Sequence, residues 1–124
     1  MSGSEKLLLT TASSISVDEV TALVRKYGGT AFPAHINRPS YSVTASLGTV
    51  PQVGFEAVEV TADGDVESLS AMYSEMRGKP VLYNSDAHFL GQIQDAGPWL
   101  DLTDCSAQSL ISALNGKSKF LWGK

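Results

Sequence analysis

Short, nearly continuous apolar runs alternate with segments of helical spacing, and this alternation constrains the fold more than any other feature of the chain. Thr30-Ala31-Phe32-Pro33-Ala34, Ala57-Val58-Glu59-Val60-Thr61 and Pro80-Val81-Leu82-Tyr83-Asn84 are each too short for a helix. They are apolar at almost every position, as strands covered on both faces must be. Before the first run, Ser16-Val17-Asp18-Glu19 forms a capping box, and Val20, Leu23, Val24 and Tyr27 follow at helical spacing up to Gly28-Gly29. Between the second and third runs an Asp63-Gly64 turn leads into a helix over roughly 66–76, with Val66, Leu69, Tyr73 and Met76 on one face. A fourth strand is expected at 99–102 and a last helix at 107–114, ended by Gly116. Lys6 to Thr11 reads as a strand or extended arm, a short helix over 42–47 interrupts the long 36–54 loop, and the apolar tail Phe120-Leu121-Trp122 should dock. Repeated β-α units predict an α/β fold with parallel strands and right-handed crossovers.

Composition excludes several function classes. A chain of 124 residues with 43% apolar and 18% charged side chains is one globular domain, neither disordered nor a coiled coil. Residues 1–5 read as a disordered leader, and the domain runs over 6–124. Net charge is −4 and the nine Lys and Arg residues are scattered, so there is no strong nucleic-acid signal. No stretch approaches the roughly 20 apolar residues that span a bilayer, and Leu7-Leu8-Leu9 is too short for a signal-peptide core. The single Cys105 has no internal disulfide partner and reads as a small apolar filler. A cytoplasmic location without a membrane partner is the expectation.

The chain has only two histidines, and both stand where an apolar run ends. His35 follows Ala34, and His88 follows Asn84-Ser85-Asp86-Ala87. Polar residues just past the carboxyl ends of parallel strands are where binding and chemistry collect in α/β folds. In extended chain, Asp86 and His88 would project to one side, and a carboxylate with an imidazole makes a natural pair of metal ligands. The plainer alternative is an Asp that caps a turn and a His that donates to backbone. Arg38, two residues after Asn37's own predecessor Ile36, offers a planar fork suited to phosphate oxygens, or else a surface cation for a carboxylate. Glu59 lies inside an apolar run, either on the polar face of an edge strand or as a carboxylate that holds a ligand in place. No serine nucleophile elbow is present.

Pro33-Ala34-His35-Ile36-Asn37-Arg38-Pro39-Ser40-Tyr41-Ser42, then Ala57-Val58-Glu59-Val60, then Asn84-Ser85-Asp86-Ala87-His88 resemble, in that order, the later motifs of the polymerase-and-histidinol-phosphatase (PHP) superfamily. The resemblance spans about 6–114. It implies part of a distorted, TIM-like β/α barrel that binds divalent Zn, Mn or Fe without an organic cofactor and hydrolyses phosphate esters. By motif, His35, Asp86 and His88 would be metal ligands, with Glu59 close to the site. Position adds Asn37 beside the ligands and Arg38 as the catalytic residue that neutralises developing charge. The N-terminal His-x-His motif and the further ligands of that family are missing, and Asn37-Arg38-Pro39 differs from the His-Pro of many members. The chain therefore resembles the C-terminal half of such a domain, inactive alone, which exposes strand edges that a homo-oligomer or a partner chain should cover. The substrate would be a phosphorylated small molecule or nucleotide. The alternatives are a non-catalytic metal-binding or interaction module that lacks the N-terminal half of the site, and a flavodoxin-like sheet whose histidines hold no metal.

Overall fold

The computed structural model describes residues 6, 12–95 and 97–123. The expected leader and almost all of the expected 6–11 arm lie outside the described residues. Helix α1 (Val17–Lys26) begins where the capping box places it. The Ser16 amide and hydroxyl both donate to the Glu19 carboxylate, at 3.2 and 2.6 Å. The Ser16 hydroxyl, and then its amide, hold the Glu19 carboxyl below its ordinary value of 4.5. Helix α2 (Val43–Leu47) is capped by Ser42 and ends at Gly48, whose φ of 75° is the left-handed conformation that glycine adopts without a Cβ clash.

Strands β1 (Val58–Thr61) and β2 (Val81–Asn84) pair in parallel, with Val58 opposite Val81 and Thr61 opposite Asn84. The crossover between them carries α3 (Val66–Met72) and a 3-10 turn at Ser74–Met76. The single helix expected over 66–76 thus breaks at Tyr73, where the backbone is extended. Break and turn together bring Met76 into the core at 1% exposure, while Met72 points outward.

Alternation along β1 and β2 sorts the side chains onto two faces. Val58, Val60 and Val81 pack with Ile36, Val50 and Met76, under Val43 of α2 and Val66 and Leu69 of α3. Ala57 and Leu82 face the other way, against Leu114 and Leu110 of α4 (Ala107–Leu114), Phe32 and Phe120. Helices therefore cover both faces of a small parallel sheet, and the described residues form no closed barrel. Half-buried Glu59 stands on that same face, opposite Leu82.

Three further expectations are corrected. Residues 30–34 are not a regular strand. They run beside β1 on the side away from β2, and the Glu59 amide donates to the Pro33 carbonyl at 3.0 Å while the Glu59 carbonyl accepts from the Ile36 amide at 2.9 Å. In a regular parallel ladder those partners would be two residues apart. Here they are Pro33 and Ile36, so one extra residue bulges out, as befits an edge that begins with a proline. Strand β3 (Trp99–Asp101) is not a fourth parallel strand; it pairs antiparallel with β4 (Leu121–Gly123), because the tail folds back along it. The tail does dock, with Phe120 half-buried and 6.0 Å from the Trp122 ring. Cys105 is exposed rather than a core filler, since it lies in the turn just before Ser106, the cap of α4.

Arg25 ties α1 to the loop before β1 and to the end of α4. Its guanidinium donates to the Gly54 carbonyl at 2.6 Å and to Asn115 Oδ1 at 3.2 Å, with Glu56 at 3.7 Å. No helix among the described residues is long and apolar enough to cross a membrane.

Ile36 is 1% exposed and joins the first loop to the main core. Ile36→Ala is expected to destabilise the chain by about 2–5 kcal/mol and Ile36→Val by about 0.5–1.5 kcal/mol, both read from urea unfolding.

Candidate functional site

The loops after 33–36, β1 and β2 meet on one rim, at the carboxyl ends of the parallel segments. The first loop is held by buried hydroxyls. Ser42 Oγ donates to the Arg38 carbonyl at 2.8 Å and accepts from the Ala45 amide at 3.0 Å, and Thr44 Oγ1 donates to the Ile36 carbonyl at 2.6 Å. These bonds account for otherwise orphaned polar groups in a loop that also sends Ile36 and Val50 into the core.

Among the described residues three non-glycine ones have positive φ: His35 at 28°, Tyr41 at 58° and Asp86 at 51°. Two of the three are the candidate ligands, at the ends of the two segments that flank β1. Left-handed backbone at a residue with a Cβ costs on the order of 1–3 kcal/mol, and such residues cluster at sites where a side chain must be aimed. At His35 the left-handed turn falls within the bulge between Pro33 and Ile36. At Asp86 the same conformation breaks the extended geometry expected for 86–88, so the simple alternation that would align Asp86 and His88 does not apply.

Arg38 and Asp86 connect two of the loops. Arg38 Nη2 lies 3.0 Å from Asp86 Oδ2, with the arginine side chain 46% exposed and the aspartate 20% exposed. Of the two sequence readings for Arg38, a partner for a carboxylate is the one adopted here. His88 is exposed; its Nδ1 lies 2.8 Å from the Asp86 carbonyl and its amide donates to Gln92 Oε1 at 2.8 Å. A carbonyl only accepts, so in the neutral ring the hydrogen sits on Nδ1 and Nε2 keeps its lone pair. The plain donation to backbone and the tautomer a metal ligand needs are the same arrangement.

His35 Nδ1 is buried without a hydrogen-bond partner, the one such side-chain atom found among the described residues. An orphaned imidazole nitrogen is costly and invites a ligand, an ion or a water. Asn37 uses its amide on the end of β1: Nδ2 donates to Thr61 Oγ1 at 2.6 Å and Oδ1 accepts from the Thr61 amide at 3.0 Å. Thr61 Oγ1 in turn donates to Asp63 Oδ1. Asn37 thus fastens the first loop to β1 rather than contacting the candidate ligands. The Glu59 carboxylate has no hydrogen-bond or ion-pair partner among the described residues.

Two imidazoles and a carboxylate suit zinc or another borderline divalent ion. In kind the donors fit, with the lone pairs of His35 and His88 uncommitted. In number they do not complete a site: among the described residues no three His, Cys, Asp or Glu side chains gather closely enough to hold a metal.

A cavity of about 520 Å³ opens on the same rim, bordered by Asn37, Arg38, Ser40, Asp63, Ser85 and Gln94. Ser40, Asp63, Ser85 and Gln94 are not evident from sequence as site residues; the available signal is their proximity to the ends of the apolar runs. No protein-family model matches the sequence, and comparison with curated proteins and with solved structures finds no match either.

Because the Arg38–Asp86 pair is partly solvated, its coupling should be small. A double-mutant cycle with Arg38→Gln and Asp86→Asn is expected to give about 0.5–1 kcal/mol, read from chemical denaturation, and to shrink as salt is raised.

Proposed function

We propose that the chain carries part of a metal-dependent phosphoesterase site of PHP type, within the C-terminal part of a distorted β/α barrel. The observation that supports this best is the like backbone of His35 and Asp86 at the ends of their segments. Both are non-glycine residues with left-handed backbone, they end the two segments that flank β1, and Arg38 bridges their loops. In this reading His35, Asp86 and His88 bind divalent Zn, Mn or Fe, and Arg38 engages phosphate oxygens. Asn37 sets the loop by its bonds to Thr61, and Glu59, on the sheet face near the rim, supports the ligands. When bound, the metal would supply a hydroxide near neutral pH and polarise the phosphate.

The remaining ligands and strands come from another polypeptide or a second copy, in a cytoplasmic setting. An exposed apolar run directly after His88, with Phe89 at 65%, Leu90 at 86% and Ile93 at 60% exposure, suits such a partner. Light scattering of the purified chain should therefore give a mass above that of one chain, and a strict monomer at micromolar concentration would remove the homo-oligomer.

A second reading, a non-catalytic interaction module on the same fold, is favoured by one observation. Asp86 already has a cationic partner, so its carboxylate is satisfied without a metal.

Metal uptake separates the two. Equilibrium dialysis against low-micromolar zinc or manganese should show uptake that Asp86→Ala or His88→Ala abolishes. Arg38→Gln, which frees the carboxylate and removes a repelling charge, should raise metal affinity about 2- to 5-fold. No uptake by the native chain, or uptake indifferent to all three substitutions, decides for the module.

A further inference from the structure

We propose that the rim cavity beside Arg38 binds the hydroxyl-rich body of a sugar or polyol phosphate, with the phosphate at Arg38. For its phosphate end this rests on the phosphoesterase reading above. The cavity, about 520 Å³, falls within the range of small-molecule pockets. None of His35, Asp86 and His88 lines it, whereas Arg38 borders both it and the Asp86 carboxylate. Arg38 therefore marks the junction between the reacting end of a ligand and the rest of it.

The chemistry of the walls chooses the ligand class. Asn37 and Thr61 bond to each other and Asp63 accepts from Thr61, which makes a rigid, hydrogen-bonded floor. The side chains of Ser40, Ser85 and Gln94 have no hydrogen-bond partner among the described residues, and all three border the opening. Two hydroxyls and a primary amide, each both donor and acceptor, match the alternating donor–acceptor pattern of adjacent hydroxyl groups. No lining side chain is aromatic, so the cavity offers no platform on which a base or an aryl ring could stack. Arg38 and Asp63 cancel in formal charge, and Arg38 Nη2 is already engaged by Asp86. A neutral body with a single anionic end meets those conditions better than a polyanion does.

Tyr83 and Asp95 border an adjoining depression of about 210 Å³ that shares Ser85 and Gln94, which makes a nucleotide the competing occupant. The full chain is titrated by calorimetry with ribose 5-phosphate, inorganic phosphate, phenyl phosphate and AMP. Ribose 5-phosphate is expected to bind more tightly than the other three. Gln94→Ala and Ser85→Ala should each weaken it about 2- to 10-fold and leave inorganic phosphate unchanged. Gln94 is exposed and Ser85 half-buried, so both variants should keep the native circular dichroism spectrum. Equal affinity for ribose 5-phosphate and inorganic phosphate, or tighter binding of AMP or phenyl phosphate, overturns the proposal. Metal uptake, measured on the same protein, keeps the two readings distinct. Uptake without sugar preference overturns the polyol cavity alone, and sugar preference without uptake overturns the metal site alone.

Discussion

The backbone of Glu59 is the point on which the rim depends. Its amide and carbonyl reach across to Pro33 and Ile36, and these two bonds seat the first loop beside β1 with one residue too many. The excess is taken up at His35, whose backbone turns left-handed. A regular ladder would keep His35 in register with the sheet; the bulge removes it from that register. Ile36, the next residue, drops into the core, so apolar burial stabilises the same bulge that contains the histidine.

Electrostatics at the rim are modest. The Arg38–Asp86 contact spans the first and third loops, yet its partial exposure limits it to the modest energy of a surface pair. Position is its main consequence. It holds a carboxylate that sits on strained backbone, and the carbonyl of the same aspartate sets the tautomer of His88. One residue thus governs a cation through its side chain and an imidazole through its main chain. Asn37 performs the corresponding task between the first loop and β1, through both ends of one amide.

Much of the frame was legible along the chain. The capping box at Ser16 and Glu19 and the helix at 107–114 rest on interactions between residues close in sequence, and the apolar runs at 57–61 and 80–84 show as local patterns although they pair with each other. The site was legible only in part. His35, Arg38 and Asp86 stood out as strand-end polar residues, but the cavity residues Ser85 and Gln94 did not, because a serine and a glutamine in polar loops carry no local signal. Extended geometry at 86–88 was a reasonable extrapolation from β2 that a single left-handed residue reversed. The pairing of 99–101 with 121–123 likewise depends on where the tail folds back, which no local pattern encodes.

Periodicity, capping and turn chemistry are properties of neighbouring residues, so the sequence by itself determined where most of the helices begin, the two parallel strands and the placing of His88 after the second of them. The bulge at His35, the union of Arg38 with Asp86, the orphaned imidazole nitrogen and the cavity beside them were decided by the tertiary structure alone. Each requires groups from separate loops to meet, and the free energy that selects among such meetings comes from burial and hydrogen bonding summed over the whole fold.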